Sequence, residues 1–324
     1  MPNVLVVYTF CMARQLAVDN ARGKRIFVGL SGGVDSAVSA TLLKEARAEV
    51  TGVFIKGWYP PGMPCTWGEE RRDAMRVAAR LHIPFRTFDA GAEYKKSVID
   101  YLVAEYRTGR TPNPDVMCNR EVKFGAFYRY AMDNRADTIA MGHYRSGEKD
   151  QSYFLWAVPK DILNATIFPV GNLEKNKVRA LAKKFNLPVA EKKDSQGVCF
   201  LGAVSVKEFL EKELGNDNPA ILYTIGQRVL GGYVANKNVE KGKITVSKTR
   251  TSSMQEVHFT DANWFNNSST VQEAQYRYRG PRCAGRVENN RFISTEPFPD
   301  IPAPGQSIVF YRGDEMVGGG IITS

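Results

Sequence analysis

Residues 25–36, RIFVGLSGGVDS, decide how the rest of the chain is read. The run Arg25 to Leu30 is apolar and bounded by glycine, which predicts a short buried strand. Ser31-Gly32-Gly33-Val34-Asp35-Ser36 then turns the chain. A helix is expected to open at about Asp35 or Ser36, because Ala37, Val38, Ala40, Thr41, Leu42 and Leu43 follow without a breaker. A glycine-rich turn between strand and helix brings backbone N–H groups close to a phosphate, and the helix N-terminus adds partial positive charge. No lysine follows the glycines, so this is not a Walker A loop, and the spacing also misses G-x-G-x-x-G. Instead two serine hydroxyls and one carboxylate stand in the turn. The serines suit phosphate oxygens, and Asp35 suits the Mg²⁺ that accompanies ATP.

Working outward, strands are expected at 50–55, 85–88 and 138–141. Helices are expected around Ala74, Val77, Ala78 and Leu81, around Val98 to Tyr106, and around Val122 to Tyr130. This alternation means βαβ crossovers and a parallel sheet, with ligands beyond the carboxyl ends of the strands. Gly142-His143-Tyr144 should lie at that end too. Further helices are read at 174–185 and 206–214. Beyond Tyr223 there are only short alternating runs, at 244–247, 257–259, 276–279 and 307–310, with Pro304-Gly305 and Gly318-Gly319-Gly320 taken as turns. That pattern predicts a small β-barrel.

The 324 residues allow two or three domains, and 43% hydrophobic with 24% charged residues is globular composition. The net charge of +10 favours an anionic partner such as nucleic acid. Ile167 to Arg250 holds 15 Lys/Arg against 8 Asp/Glu, so the basic surface belongs mainly to the middle. Five widely spaced cysteines argue against a disulfide framework and for a reducing, cytoplasmic compartment. No run is long enough to span a membrane. The apolar residues 4–13 lack a basic lead, so they are read as an extra strand or a start-site artefact, and residues 1–23 receive no function.

Two cysteines stand in unusual settings. Thr111-Pro112-Asn113-Pro114-Asp115-Val116-Met117-Cys118-Asn119-Arg120 is stiffened by two prolines, and Asn119 is expected to cap the next helix. Cys118 at that helix start would favour thiolate, with Asp115 near enough to exchange a proton. Cys199, in Asp194-Ser195-Gln196-Gly197-Val198-Cys199-Phe200-Leu201-Gly202, is flanked by glycines. Two thiols, a nucleotide loop and a basic middle suggest ATP-dependent activation of an oxygen followed by sulfur attack.

GLSGGVDS, RTPNPDVMCN, MGHY, KDQSYFL, FPVG, KKDSQGVCF, YTIGQR, RYR, PGQ and GGGI occur here in order. With them the chain resembles the bacterial tRNA-specific 2-thiouridylases, the MnmA family, from Lys24 onward. The resemblance implies an α/β fold with a parallel-sheet N-type ATP-pyrophosphatase domain of the HUP type (adenine nucleotide α-hydrolase-like). That domain covers 1–201, with 1–23 as an atypical extension. A shortened central tRNA-binding domain at 202–260 and a C-terminal β-barrel at 261–324 follow. The implied reaction is 2-thiolation of the wobble uridine, U34, with ATP going to AMP and diphosphate. Gly29, Leu30, Ser31, Gly32, Gly33, Val34, Asp35 and Ser36 match the ATP loop, and Gly142 also faces the nucleotide. Ile55 stands where the family usually has Met against adenine. Asn113, Pro114 and Asp115 match the segment at the target base. Cys118 matches the nucleophile and Cys199 the persulfide carrier, the pair forming a transient disulfide. His143, Lys149, Asp150, Gln151, Arg277, Tyr278 and Gln306 match tRNA-contacting positions.

The implied partners are the tRNA anticodon loop and a sulfur-donor protein, with ATP and Mg²⁺ required. An iron–sulfur cluster on Cys118, Cys199 and Asp115 stays open at this point. The connection Arg145 to Glu148 is shorter than the family's, as are the stretches around YTIGQR. Two alternatives stand beside this reading: another ATP-dependent ligase or amidating enzyme with the same loop, and a tRNA-binding protein impaired in catalysis.

Overall fold

The computed structural model describes residues 18, 20–62, 67–147, 149–193, 206–215 and 218–323. The N-terminal apolar run and Cys199 lie outside these residues. By compactness the chain divides into two units, each assembled from separate segments. One contains 1–94, 121–152 and 160–203; the other contains 95–120, 153–159 and 204–324.

The first unit holds a four-stranded parallel sheet, in the order β3 (Phe85–Asp89), β2 (Glu49–Lys56), β1 (Arg25–Gly29), β4 (Thr138–Ala140). β1 lies centrally, with Ile26 and Val28 fully buried and Phe27 nearly so. Cover on both faces explains why its sequence is a continuous apolar run rather than an alternating one. The helix Trp67–Leu81 buries Ala74, Val77, Ala78 and Leu81, the four positions its periodicity predicted. Helix Lys175–Lys184 adds Val178 and Ala182 to the same core. Helices 34–45, 67–81, 127–133 and 175–184 are each followed by a non-glycine residue in the left-handed region: Arg47, His82, Arg135 and Asn186.

Two expected helices are wider than a 3.6-residue period implies. Gly91–Tyr94 runs into a π-helical stretch, Lys95–Ile99, before Asp100–Arg107. Pro114–Met117 likewise runs into π-helical Cys118–Ala126 and then Phe127–Asp133. The second helix therefore starts at Pro114, with Asn113 as its N-cap residue. Asn119 does not cap it; its Nδ2 donates to the Phe154 carbonyl at 3.0 Å.

The second unit holds a three-stranded antiparallel sheet, β5 (Arg228–Val229), β6 (Gly232–Asn238) and β7 (Lys243–Ser247), and a closed antiparallel barrel. Around the barrel the order is β10 (Cys283–Glu288), β11 (Arg291–Ser294), β8 (Glu256–Trp264), β13 (Glu315–Ile322), β12 (Ser307–Arg312), β9 (Glu273–Gln275). Its core is aromatic, with Phe259, Phe292, Phe298 and Phe310 buried and Trp264 stacked on Phe310 at 5.1 Å.

Two sequence expectations fail in the barrel. Gly318-Gly319-Gly320 is not a turn but the middle of β13. A Cβ on Gly319 would lie 2.7 Å from the Trp156 ring and one on Gly320 2.7 Å from Phe259, so the glycines make room for rings. Tyr276 to Arg279 is not a strand. β9 ends at Gln275, Gly280 N–H closes a turn onto the Arg277 carbonyl at 2.9 Å, and Arg279 adopts φ +59°.

Candidate active site

In the first unit the Ser31–Ser36 turn follows β1 directly. Leu30 and Val34 are buried and anchor it to the core, whereas Ser31 is exposed. Gly32 adopts φ +75°, and a side chain there would run into the Glu70 carbonyl. The helix begins at Val34, one residue earlier than expected, with Gly33 as N-cap and no side-chain cap bond. The hydroxyls bond one another instead: Ser31 Oγ and Ser36 Oγ are 3.2 Å apart, and Ser36 Oγ donates to the Gly33 carbonyl at 3.1 Å. Its first-turn N–H groups are left with no side-chain cap, the arrangement that receives an anion. Gly142 lies against this turn, since a Cβ on it would come 3.0 Å from the Ser36 nitrogen. Ile55 is half-buried beside Gly29, 3.7 Å from where its Cβ would stand.

Three residues converge on the turn: Tyr144, expected at this end of the sheet, and two lysines to which sequence reasoning assigns no role here. Lys175 Nζ donates to both Asp35 carboxylate oxygens, at 2.7 and 2.9 Å. Tyr144 donates its hydroxyl to Asp35 Oδ1 at 2.6 Å. Lys192 Nζ donates to the Gly32 carbonyl at 3.1 Å and to Asp73 Oδ2 at 2.7 Å. The turn lacks a lysine of its own, and cationic charge reaches it from 140 and 160 residues away. Tyr144 had a sequence signal, its place after β4, and Lys192 opens the KKDSQGVCF motif; Lys175 had none. A carboxylate oxygen pair of this kind fits a hard divalent cation such as Mg²⁺.

His143 is buried between Phe124, 5.6 Å away, and the edge of Phe168, 6.3 Å away. Burial, and then the nearby Lys123 and Arg145 charges, hold its imidazole well below the usual histidine range. Gln151 and Asp150 both serve the local backbone. Gln151 Oε1 accepts from the Tyr144 N–H at 3.1 Å, and Asp150 Oδ1 accepts from the Ser152 N–H at 2.8 Å.

Asn113, Pro114, Asp115 and Cys118 belong to the second unit, where the Pro304-Gly305-Gln306 motif clasps the approach to them. Thr111 N–H donates to the Pro304 carbonyl at 2.9 Å, and Gln306 Nε2 donates to the Thr111 carbonyl at 2.6 Å. Gly305 is in the left-handed region at φ +89°, and a Cβ would sit 2.8 Å from the Thr111 nitrogen. Cys118 lies inside the helical run rather than at its first turn and is only 5% exposed, which corrects the expectation of a thiol at the helix start.

Arg277 and Tyr278 line a cavity of about 330 Å³ with Arg250, Tyr276, Arg279 and Asp300. Arg277 Nε donates to Asp300 Oδ1 at 3.1 Å, and Nη2 donates to the Ile225 and Ile301 carbonyls at 3.3 and 3.2 Å. Tyr278 packs on Phe154, with ring centres 4.5 Å apart, and the Arg279 guanidinium lies over its ring at 5.1 Å.

Among the described residues no group of three or more His, Cys, Asp or Glu is placed to hold a metal, and no helix is long and apolar enough to cross a membrane. The cluster left open above requires Cys199, outside that set.

Comparison with known proteins agrees with this arrangement. Residues 24–203 match the family model described as "tRNA methyl transferase HUP domain", and residues 254–322 match "Aminomethyltransferase beta-barrel domain". The tRNA-specific 2-thiouridylase MnmA of Streptococcus mutans is 38% identical, over 94% of this chain and 96% of that protein. That of Francisella tularensis subsp. novicida is 36% identical, over 92% and 99%. Among solved structures, NMN synthetase from Francisella tularensis aligns at 17% identity with a TM-score of 0.39, over 63% of this chain and 81% of that one. With a glycine-rich turn after the first strand of a parallel sheet, a closed barrel and relatives alike along almost their whole length, the chain belongs to the tRNA-specific 2-thiouridylase family.

Proposed function

We propose that this protein replaces the C2 oxygen of the wobble uridine of tRNA with sulfur, consuming ATP. The near full-length identity to 2-thiouridylases carries the reading. The Ser31–Ser36 turn, with Gly142 against it, supports the ATP half.

In the first step the uridine C2 oxygen attacks the α-phosphorus of ATP and diphosphate leaves. Adenylation converts a poor leaving group into AMP. The first-turn N–H groups and the Ser31 and Ser36 hydroxyls receive the phosphates, and Ile55 packs against adenine beside Gly29. Asp35 would hold Mg²⁺, whose charge offsets that of the departing diphosphate. In the second step the outer sulfur of a Cys199 persulfide attacks C2, and the C–O bond to AMP breaks. Cys118 thiolate then attacks the inner Cys199 sulfur, leaving a Cys118–Cys199 disulfide and the electron pair on the new thiocarbonyl sulfur. A dithiol reductant restores both thiols. Asp115 exchanges the proton at Cys118. Burial of Cys118 suits this sequence, because a shielded thiol is spared adventitious oxidation until a base is presented.

The target must be a flipped, unpaired anticodon-loop base, since a stacked base could not be reached. Asn113, Pro114 and Asp115 are assigned to hold it. Lys149, Asp150, Gln151, Arg277, Tyr278 and Gln306 are assigned to the tRNA-facing surface, whereas His143, buried between Phe124 and Phe168, is assigned to supporting it from within. Gln306 acts by bracing Thr111 and Pro112, and Arg277 by holding the turn that presents Tyr278 and Arg279. The division at 201 and 260 into catalytic, central and barrel parts is kept for these roles, and a sulfur-donor protein loads Cys199.

The test is thiolation of a tRNA transcript with ATP and a persulfide donor, read on a mercury-containing gel alongside diphosphate release. Cys199→Ser should abolish thiolation while diphosphate release continues. Full sulfur transfer by Cys199→Ser would overturn the mechanism, and turnover by the double cysteine variant would favour a ligase or amidating enzyme.

A further inference from the structure

We propose that Lys175 is a diphosphate-binding residue parked on Asp35, exchanging partners when metal-bound nucleotide enters. The inference rests on the ATP reading above and deepens it.

Both Asp35 carboxylate oxygens are engaged by the one ammonium, and Tyr144 takes a second bond on Oδ1. The lysine side chain is 14% exposed and the carboxylate 30%, so neither group is well solvated. Separating such a pair is costly unless each partner gains a replacement. A magnesium-bound phosphate supplies both at once: the cation for Asp35 and the phosphate oxygens for Lys175. Neither metal alone nor phosphate alone does so.

The position of Lys175 supports this reading. It is the first residue of helix Lys175–Lys184, whose first turn has no acidic residue. A cation there opposes the helix dipole, so the placement is not explained by helix stability. Lys192, by contrast, is divided between a backbone carbonyl and Asp73, which lies outside the turn, so it braces the turn rather than competing for its carboxylate.

The experiment is calorimetric titration of diphosphate, with Mg²⁺ and in EDTA, into the full chain and its variants. About 0.5 M KCl screens charges that make no contact. Lys175→Gln should weaken magnesium–diphosphate binding about tenfold. Asp35→Asn should bind metal-free diphosphate several-fold tighter than the unaltered protein, because Lys175 is released. The double variant Asp35→Asn/Lys175→Gln should lose that gain. Because this variant carries no unpaired carboxylate, the comparison stands even if Lys175→Gln alone folds poorly. Unchanged magnesium–diphosphate binding by a folded Lys175→Gln, or a gain that survives in the double variant, would overturn the proposal. If the unaltered protein binds neither magnesium–ATP nor magnesium–diphosphate, the ATP reading itself fails and this inference falls with it. If it binds magnesium–ATP and Lys175→Gln binds both equally well, only the inference falls.

Discussion

Replacing Arg277 with alanine should destabilise the barrel-containing unit rather than simply remove a surface charge. The guanidinium makes one ionic bond to Asp300 and two bonds to carbonyls, of Ile225 and Ile301. Asp300 is 13% exposed and Arg277 25%, so the ionic bond is only partly screened. The two carbonyl bonds, at 3.2 and 3.3 Å, are at the long end and contribute about 0.5 kcal/mol each, with about 1–2 kcal/mol for the ionic one. Asp300 keeps a second partner, Arg250, at 2.8 Å, so the carboxylate is not stranded and the lower half of that range applies. The loss is then about 2 kcal/mol, or roughly 4–8 °C for a domain of this size. Calorimetric melting of the variant, beside filter binding of tRNA, measures both consequences. Arg277→Lys should recover less than half of the loss, because one ammonium cannot serve three acceptors in different directions. A variant that melts like the unaltered protein while losing tRNA affinity would refute the reasoning, since Arg277 would then be a contact and not a tie.

Gly142→Ala places a methyl 3.0 Å from the Ser36 nitrogen and 3.1 Å from the Asp35 carbonyl carbon, both backbone atoms that cannot swing aside. The turn must shift, and ATP affinity in calorimetry should fall about tenfold with the fold retained. Gly319→Ala drives a methyl into the Trp156 ring at 2.7 Å and should cost about 1–3 kcal/mol in urea unfolding followed by tryptophan fluorescence. His143 is held neutral, its native pKa well below the unfolded value of 6.5. Its contribution to stability is therefore full above that value and declines as pH falls from there toward the lower native pKa, because the unfolded chain binds the proton first. His143→Gln should flatten the decline in stability between about pH 7 and about pH 5, and an unchanged slope would show that the histidine is not the group responsible.

The parallel sheet was legible because its signals are local. β1 is an apolar run ending at a glycine turn, and the face of helix Trp67–Leu81 repeats at helical spacing. The barrel was legible in kind but not in detail. A glycine triplet has the same appearance in a turn as in a strand that must pass beneath Trp156, and only the ring's position distinguishes them. The π-helical widening at Cys118 has no compositional mark. In the site, the turn itself could be read, whereas Lys175 could not, since its meaning lies in an ion pair across 140 residues. Arg277 and Gln306 stood out as motif residues, but motif position does not show that both side chains are spent on backbone carbonyls.

The clasp on Thr111 has a bearing on biosynthesis. Gln306 is translated 195 residues after the carbonyl it holds, and Gly305 N–H is itself fixed to the Ile322 carbonyl at 2.8 Å. While the ribosome is still making the intervening chain, the segment before Cys118 lacks the partners that set its shape. A nascent or prematurely terminated polypeptide can therefore complete its early strands and yet present an unfinished Thr111–Pro112 approach. Such long sequence separation also slows the closing of that region relative to the parallel sheet. Maturation of the thiol-bearing segment is in this way made a late event, coupled to completion of the barrel strands.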